Sequence, residues 1–146
     1  MASQFKLDEA YLDICETWSR LSTALRKKVG CIIVKDGIII SDGYNGTPSG
    51  FDNECEIRLD EHDESALITK PEVLHAESNA ITKLAKSTQS SIDSTMYITI
   101  NPCVECSKLI IQSGIKRVIY KNFYKNNQGI ELIKKANIEI KQHESK

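Results

Sequence analysis

With 146 residues, the chain is long enough to bury a sizeable core as one domain. Its 40% hydrophobic and 27% charged content excludes a disordered or collagen-like chain. The 19 Lys and Arg are offset by 20 Asp and Glu, so the basic excess of a duplex-DNA or anionic-membrane binder is missing and neither partner is expected. No apolar run reaches the length of a membrane span, and the first residues lack a signal-peptide core. Five cysteines form no disulfide framework and suit a reducing compartment, giving a cytoplasmic expectation.

Along the chain, Leu7, Tyr11, Ile14, Cys15, Trp18, Leu21, Ser22 and Leu25 follow a helical period and predict an amphipathic first helix. Val29 to Val34 and Ile38 to Ser41 read as two strands, joined by Lys35-Asp36-Gly37 with the Asp-Gly hairpin signal. Residues 43–73 read as a long loop, and such a loop in a small domain usually carries a function as binding segment or lid. Helices are predicted over 75–85, 103–112 and 127–136, and strands over 94–100, 116–120 and 138–140. Helix and strand alternating after an initial hairpin predicts a three-layer α/β/α sandwich on a five-stranded mixed sheet, with right-handed parallel crossovers over 94–120 and 116–140. The whole chain, 1–146, reads as a single unit, with no boundary, repeat or low-complexity segment.

Two motifs carry chemistry, His75-Ala76-Glu77 and Pro102-Cys103-Val104-Glu105-Cys106. Cys-x-x-Cys alone is shared by redox and structural zinc sites. Here it opens a helix, where free amides and the dipole favour thiolates, and His75 opens another. If both helices start at one edge of the sheet, imidazole and two thiolates converge as three zinc ligands. Three protein ligands leave a fourth position for water, the catalytic pattern, and Glu77 is then placed to move that water's protons. His-x-Glu with Pro-Cys-x-x-Cys therefore points to hydrolytic deamination of a nucleobase, whereas a dithiol oxidoreductase needs neither His75 nor Glu77. A non-catalytic, zinc-stabilised interaction domain is the alternative from another class. Cys31 reads as core, and Cys55 with His62 supplies too few ligands for a second structural zinc.

These residues resemble the zinc-dependent cytidine and deoxycytidylate deaminases. The matching stretches are Lys28 to Val34, Gly43 to Gly50, His75 to Ile81, Met96 to Thr99 and Pro102 to Lys116, within a likeness running from about Leu7 to Ile140. The Gly43-Tyr44-Asn45-Gly46-Thr47-Pro48-Ser49-Gly50 loop favours the deoxycytidylate branch. The resemblance implies zinc held by His75, Cys103 and Cys106, Glu77 as proton shuttle, and dCMP converted to dUMP for thymidylate synthesis. It implies Asn45 near sugar and phosphate and Tyr124 at the phosphate end. It also implies a homo-oligomer, usually a hexamer, activated by dCTP with Mg2+ and inhibited by dTTP. The same chemistry on dCTP, on cytidine or on a base in nucleic acid stays open. From the residues themselves, Arg26, Lys27 and Lys28 cluster before the first strand as phosphate-contact candidates, with plain solvent-facing charge as the alternative; Tyr120 is pocket wall or core, and Asn45-Gly46 is a tight turn with free amides. Arg117, with Lys116 and Lys121, is a phosphate or subunit contact, Arg117 being expected to point outward.

Overall fold

The computed structural model describes residues 1–63 and 65–145. Helix α1, Gln4–Ser19, starts where the Ser3 hydroxyl accepts a hydrogen bond from the Lys6 amide at 3.2 Å, an N-cap. The expected continuation to Leu25 does not form. Beyond Ser19 the chain is held by hydrogen bonds to the distant loop. The Glu56 carboxylate accepts from the Leu25 and Arg26 amides at 2.8 and 2.9 Å, and Ser22 donates to the Asn45 carbonyl at 2.8 Å. The Glu56 bonds occupy amides that a longer helix would need, and Leu21 and Leu25 stay exposed.

Strands β1, Gly30–Lys35, and β2, Ile38–Tyr44, form the expected hairpin. Asp36 and Gly37 both have positive φ, 51° and 75°, as a type I′ turn requires, and its twist matches that of the paired strands. The segment 43–73 is not structureless. It contains β3, Glu56–Arg58, paired antiparallel with β4, Leu67–Thr69. Then come α2, Ala76–Leu84; β5, Thr95–Ile100; α3, Val104–Gln112; β6, Arg117–Asn122; α4, Gln128–Lys135; and β7, Glu139–Gln142.

The main sheet has the order β2-β1-β5-β6-β7. β1 is antiparallel to β2 and to β5, while β5, β6 and β7 run parallel, so the sheet is mixed and five-stranded as expected. Strand alternation sorts the core into two layers. Cys31, Ile33, Met96, Ile98 and Val118 pack with Ala76, Ala80, Ile110 and Ile133 under α2, α3 and α4. Ile32, Val34, Tyr97 and Ile119 face the other way, against Leu12 and Cys15 of α1. This is the three-layer sandwich, with three helices on one face and one on the other.

Arg117 does not point outward. Its guanidinium makes two hydrogen bonds to the buried Asp8 carboxylate, at 2.7 and 3.0 Å, and a 3.2 Å ion pair with Glu139. The Tyr97 hydroxyl donates to Asp8 at 2.6 Å and the Gln4 amide at 2.8 Å. Desolvation pushes the Asp8 carboxyl up, but the hydrogen bonds from Arg117, Tyr97 and Gln4 outweigh it and hold the group below its ordinary range. α1 is thereby tied to β5, β6 and β7. No helix among the described residues is long and apolar enough to cross a membrane.

Candidate metal centre and adjoining cavity

His75 and Cys103 are the N-caps of α2 and α3, and neither side chain caps its own helix, so imidazole and thiol are left for another task. α3 follows the end of β5 across Asn101-Pro102, and Pro102 suits the chain's entry into a helix. Cys106, one turn beyond Cys103, lies on the same helical face. His75 Nδ1 stands 3.5 Å from Cys103 Sγ and 3.3 Å from Cys106 Sγ. Metal–nitrogen and metal–sulfur bonds of about 2.0 and 2.3 Å at tetrahedral angles put N and S about 3.5 Å apart, so this spacing fits one zinc ion. The three donor atoms all lie within 4.8 Å of one another, the one such cluster among the described residues. Cys106 is buried, whereas His75 and Cys103 are exposed and face open space, the arrangement of a site that admits a further ligand. A His/Cys2 site suited to a catalytic zinc is therefore present.

The electrostatics of the group are coupled. Cys103 is held down to about 3, first by the hydrogen bond with Cys106 and, against burial, by His75. Cys106 is raised by that same bond and by burial. His75 is raised, chiefly by its hydrogen bond with Cys103. Glu77, in the first turn of α2, is buried, and desolvation pushes its carboxyl up to about 7 despite the nearby His75. A carboxyl poised near neutrality beside a metal-ligand cluster can both take and give a proton.

A cavity of about 220 Å³ opens beside this cluster and is lined by His75, Glu77 and Cys103 among others. Its walls come from the end of β5, the segment after α1, the β3–β4 hairpin and the loop after β6. Asn45, Tyr124 and Arg26, named from sequence, all line it. Lys28 and Tyr120 do not. Lys28 is exposed outside the cavity, whereas Arg26 and Lys27 of the same basic cluster line it. Tyr120 is core, packed among the buried residues under the three helices.

Asn45 spends its side chain on the wall itself: it accepts from the Val29 amide at 2.9 Å and donates to the Lys27 carbonyl at 2.7 Å. The amides at 45–46 are not free, for Asn45 donates to the Val29 carbonyl and Gly46 to the Leu74 carbonyl, the latter fixing the approach to His75. Cys55 is buried and lines the cavity, whereas His62 is exposed; no metal cluster among the described residues includes either.

Asn101, Ser107 and Gly129 shape the site without having been predicted from sequence, and Arg26 is held in a way that was not predicted either. Asn101 donates to the Tyr124 and Asn126 carbonyls, at 3.2 and 2.9 Å, and accepts from the Tyr124 amide at 2.6 Å, pinning the loop after β6 to the start of α3. Gly129 lets α4 press against that start: a Cβ there would run into the Pro102 carbonyl, and the buried Ser107 hydroxyl donates to the Gly129 carbonyl at 3.1 Å. Arg26 donates to the Thr69 hydroxyl at 3.2 Å, fastening it to the β3–β4 hairpin. An Asn immediately before the Pro-Cys pair was the one available sequence signal.

A sandwich that brings one imidazole, two thiols and a buried glutamate together at two helix N-termini defines the class of zinc-dependent base deaminases. The family model for the cytidine and deoxycytidylate deaminase zinc-binding region matches residues 5–122, and the chain belongs to that family. It is 34% identical to the deoxycytidylate deaminase of Enterobacteria phage T4, over 88% of this chain and 86% of that protein. It is 38% identical to the deoxycytidylate deaminase of Mycobacterium phage D29, over 77% of this chain and 92% of the relative. Among solved structures, the dCMP deaminase of cyanophage S-TIM5 in complex with dCMP and dUMP superposes with a TM-score of 0.87 at 41% identity, covering 97% of this chain and 99% of that one.

Proposed function

We propose that this protein hydrolyses dCMP to dUMP and ammonia, with His75, Cys103 and Cys106 holding zinc and Glu77 moving the protons. The observation that carries the reading is the triad of donor atoms at the spacing of a single tetrahedral ion, with the buried Glu77 carboxyl beside it. The similar phage structure, whose ligands are dCMP and dUMP, supports the choice of nucleotide. When bound, zinc supplies Lewis acidity that makes water a nucleophile near neutral pH. Glu77 would accept one proton of the attacking water and deliver it to N3 of the cytosine as the C4–O bond forms, then take the remaining proton from the C4 hydroxyl and pass it to the 4-amino nitrogen as the C4–N bond breaks, leaving the 4-oxo base and ammonia. Ala24, Val29, Val73 and Ile100 give the cavity apolar wall for the base. Asn45 shapes the sugar end by fixing Lys27 and Val29, and Arg26 and Tyr124 stand ready for the phosphate end. Lys28 and Tyr120 take no direct part.

In this reading residues 1–146 form one deaminase domain, and 43–73 is a wall of the substrate cavity rather than a free lid. The reading extends, on the family resemblance, to a cytoplasmic homo-oligomer, a hexamer, and to control by dCTP with Mg2+ and by dTTP. Small nucleotides, not nucleic acid, are its ligands. The test is ammonia release from dCMP, dCTP, deoxycytidine and cytidine at equal concentration, with zinc content measured on the same preparation. Preference for dCMP with about one zinc per chain is expected, one ion being all that the three ligands hold. A zinc-replete protein inert on every one of these substrates would instead support the interaction-domain reading.

A further inference from the structure

We infer that Asn79 is a positioning residue for the deamination: with the Gly46–Leu74 backbone pair, it clamps the turn that bears His75 and Glu77 to the end of β2. The inference rests on the deaminase reading above. His75, Ala76 and Glu77 form the junction where the chain enters α2. Just before that junction, Gly46 and Leu74 exchange both backbone hydrogen bonds, at 3.0 and 2.8 Å. Just after it, the Asn79 side-chain amide donates to the Tyr44 carbonyl at 2.8 Å. The Asn79 backbone amide donates to the His75 carbonyl at 3.0 Å. One residue thus closes the first helical turn on a metal ligand and moors that turn to the sheet. Residues 44–46 hold the ligand-bearing turn at both ends.

Helix and strand meet here backbone to backbone. A Cβ at Gly43 would run into the Ala76 carbonyl and the Ala80 amide, so no side chain sets their spacing and the hydrogen bonds around the contact must. Two of these, from the Ser41 hydroxyl to the Ala80 carbonyl and from Lys83 to Asp42, lie beyond Asn79 and hold the body of α2. The first turn is left to Asn79. Asparagine is a poor helix former, because its side chain competes for backbone groups, and inside a helix of nine residues it weakens what alanine would strengthen. Its side chain serves the strand instead. Asn45, between the two bonded residues, carries the alignment on to the cavity. It joins the Val29 amide to the Lys27 carbonyl, and its own carbonyl accepts from the Ser22 hydroxyl. Glu77 is thereby registered against the segment that holds the cavity wall, as proton transfer to a bound base requires.

Steady-state kinetics on dCMP, zinc content and Tm of Asn79→Ala, Asn79→Asp and Lys83→Ala test the clamp. Asn79→Ala removes the donor and improves helix propensity, whereas Asn79→Asp keeps the shape and sets an acceptor against the Tyr44 carbonyl. Both should lower kcat about ten- to a hundredfold, as a misplacement of about 1 Å does, with KM within about threefold. Zinc should stay near about one ion per chain, since all three ligands are intact. The Tm of Asn79→Ala should stay close to the wild-type value, the gain in helix propensity offsetting the lost hydrogen bond. Lys83→Ala breaks a contact between the same two elements farther along the helix and should leave kcat unchanged. Near-normal kcat in Asn79→Ala or Asn79→Asp, or a loss of kcat that Lys83→Ala reproduces, would overturn the positioning role and leave the deaminase reading intact. A wild-type protein that releases no ammonia from dCMP would remove both.

Discussion

Glu77 combines two properties that rarely meet in one carboxyl: it is almost wholly buried, and it touches the neighbourhood of three metal-binding side chains. Burial pushes it up to about 7, so its protonated and ionised forms lie close in free energy at working pH. Glu77→Gln keeps the shape and removes the titration. The variant should fold, retain zinc and lose about 10²- to 10⁴-fold in turnover, as loss of a general acid–base does. Ammonia release and zinc content measured together check it, and near-normal turnover at full zinc occupancy would exclude the role. His75, Glu77, Cys103 and Cys106 were legible in sequence because zinc ligation and proton transfer demand those residue types at those spacings. Asn101 and the cavity-lining Lys125 were not, because lysine and asparagine take their meaning from where the backbone carries them. Arg26, Lys27 and Lys28 are equivalent in sequence, and only the fold turns the first two and not the third toward the cavity.

At the level of elements, the metal centre depends on how closely α4 approaches the link between β5 and α3. Gly129 permits that approach, and a methyl group there meets the Pro102 carbonyl and the Cys103 backbone. Gly129→Ala should cost about 1–3 kcal/mol, the range of overpacking, and weaken zinc retention because the strain falls on the residue carrying Cys103. Gly46→Ala is the control, since a Cβ at Gly46 meets open space and its φ is not in the left-handed region. Thermal unfolding and zinc retention against a chelator measure both. If the two alanines behaved alike, the packing argument at Gly129 would fail. The sequence reading found every strand of the main sheet, since β-branched runs bounded by turns are a strong signal. It overran α1, whose period continued into a segment that Glu56 and Ser22 hold open. It also missed β3 and β4, each only three residues long and too short to show alternation.

For the molecule as a whole, the sheet separates two polar clusters that do different work. On the face of α2 and α3 the metal ligands join two helix starts. On the face of α1, Asp8 and Arg117, with Tyr97 and Glu139, join one helix to three strands. Removing one partner of a buried, hydrogen-bonded pair costs about 3–5 kcal/mol, because the other charge is left uncompensated. Asp8→Asn should therefore lower stability at pH 7 by about 3 kcal/mol while leaving zinc retention unchanged, since the two clusters share no side chain and lie across the sheet. The pH dependence follows from sign. Asp8 is held below its ordinary value of 3.8 in the folded chain, so the unfolded state binds the extra proton first. Its stabilisation is complete above that value and is lost as pH falls through the lower folded one. The difference between wild type and Asp8→Asn should accordingly be constant from pH 5 to 7 and shrink below about 3.8, where the wild-type carboxylate is itself neutralised. Denaturant unfolding of the two proteins across that range reads it directly. A gap that widened on acidification, or an Asp8→Asn protein that also shed its zinc, would mean that the two faces are coupled through the sheet.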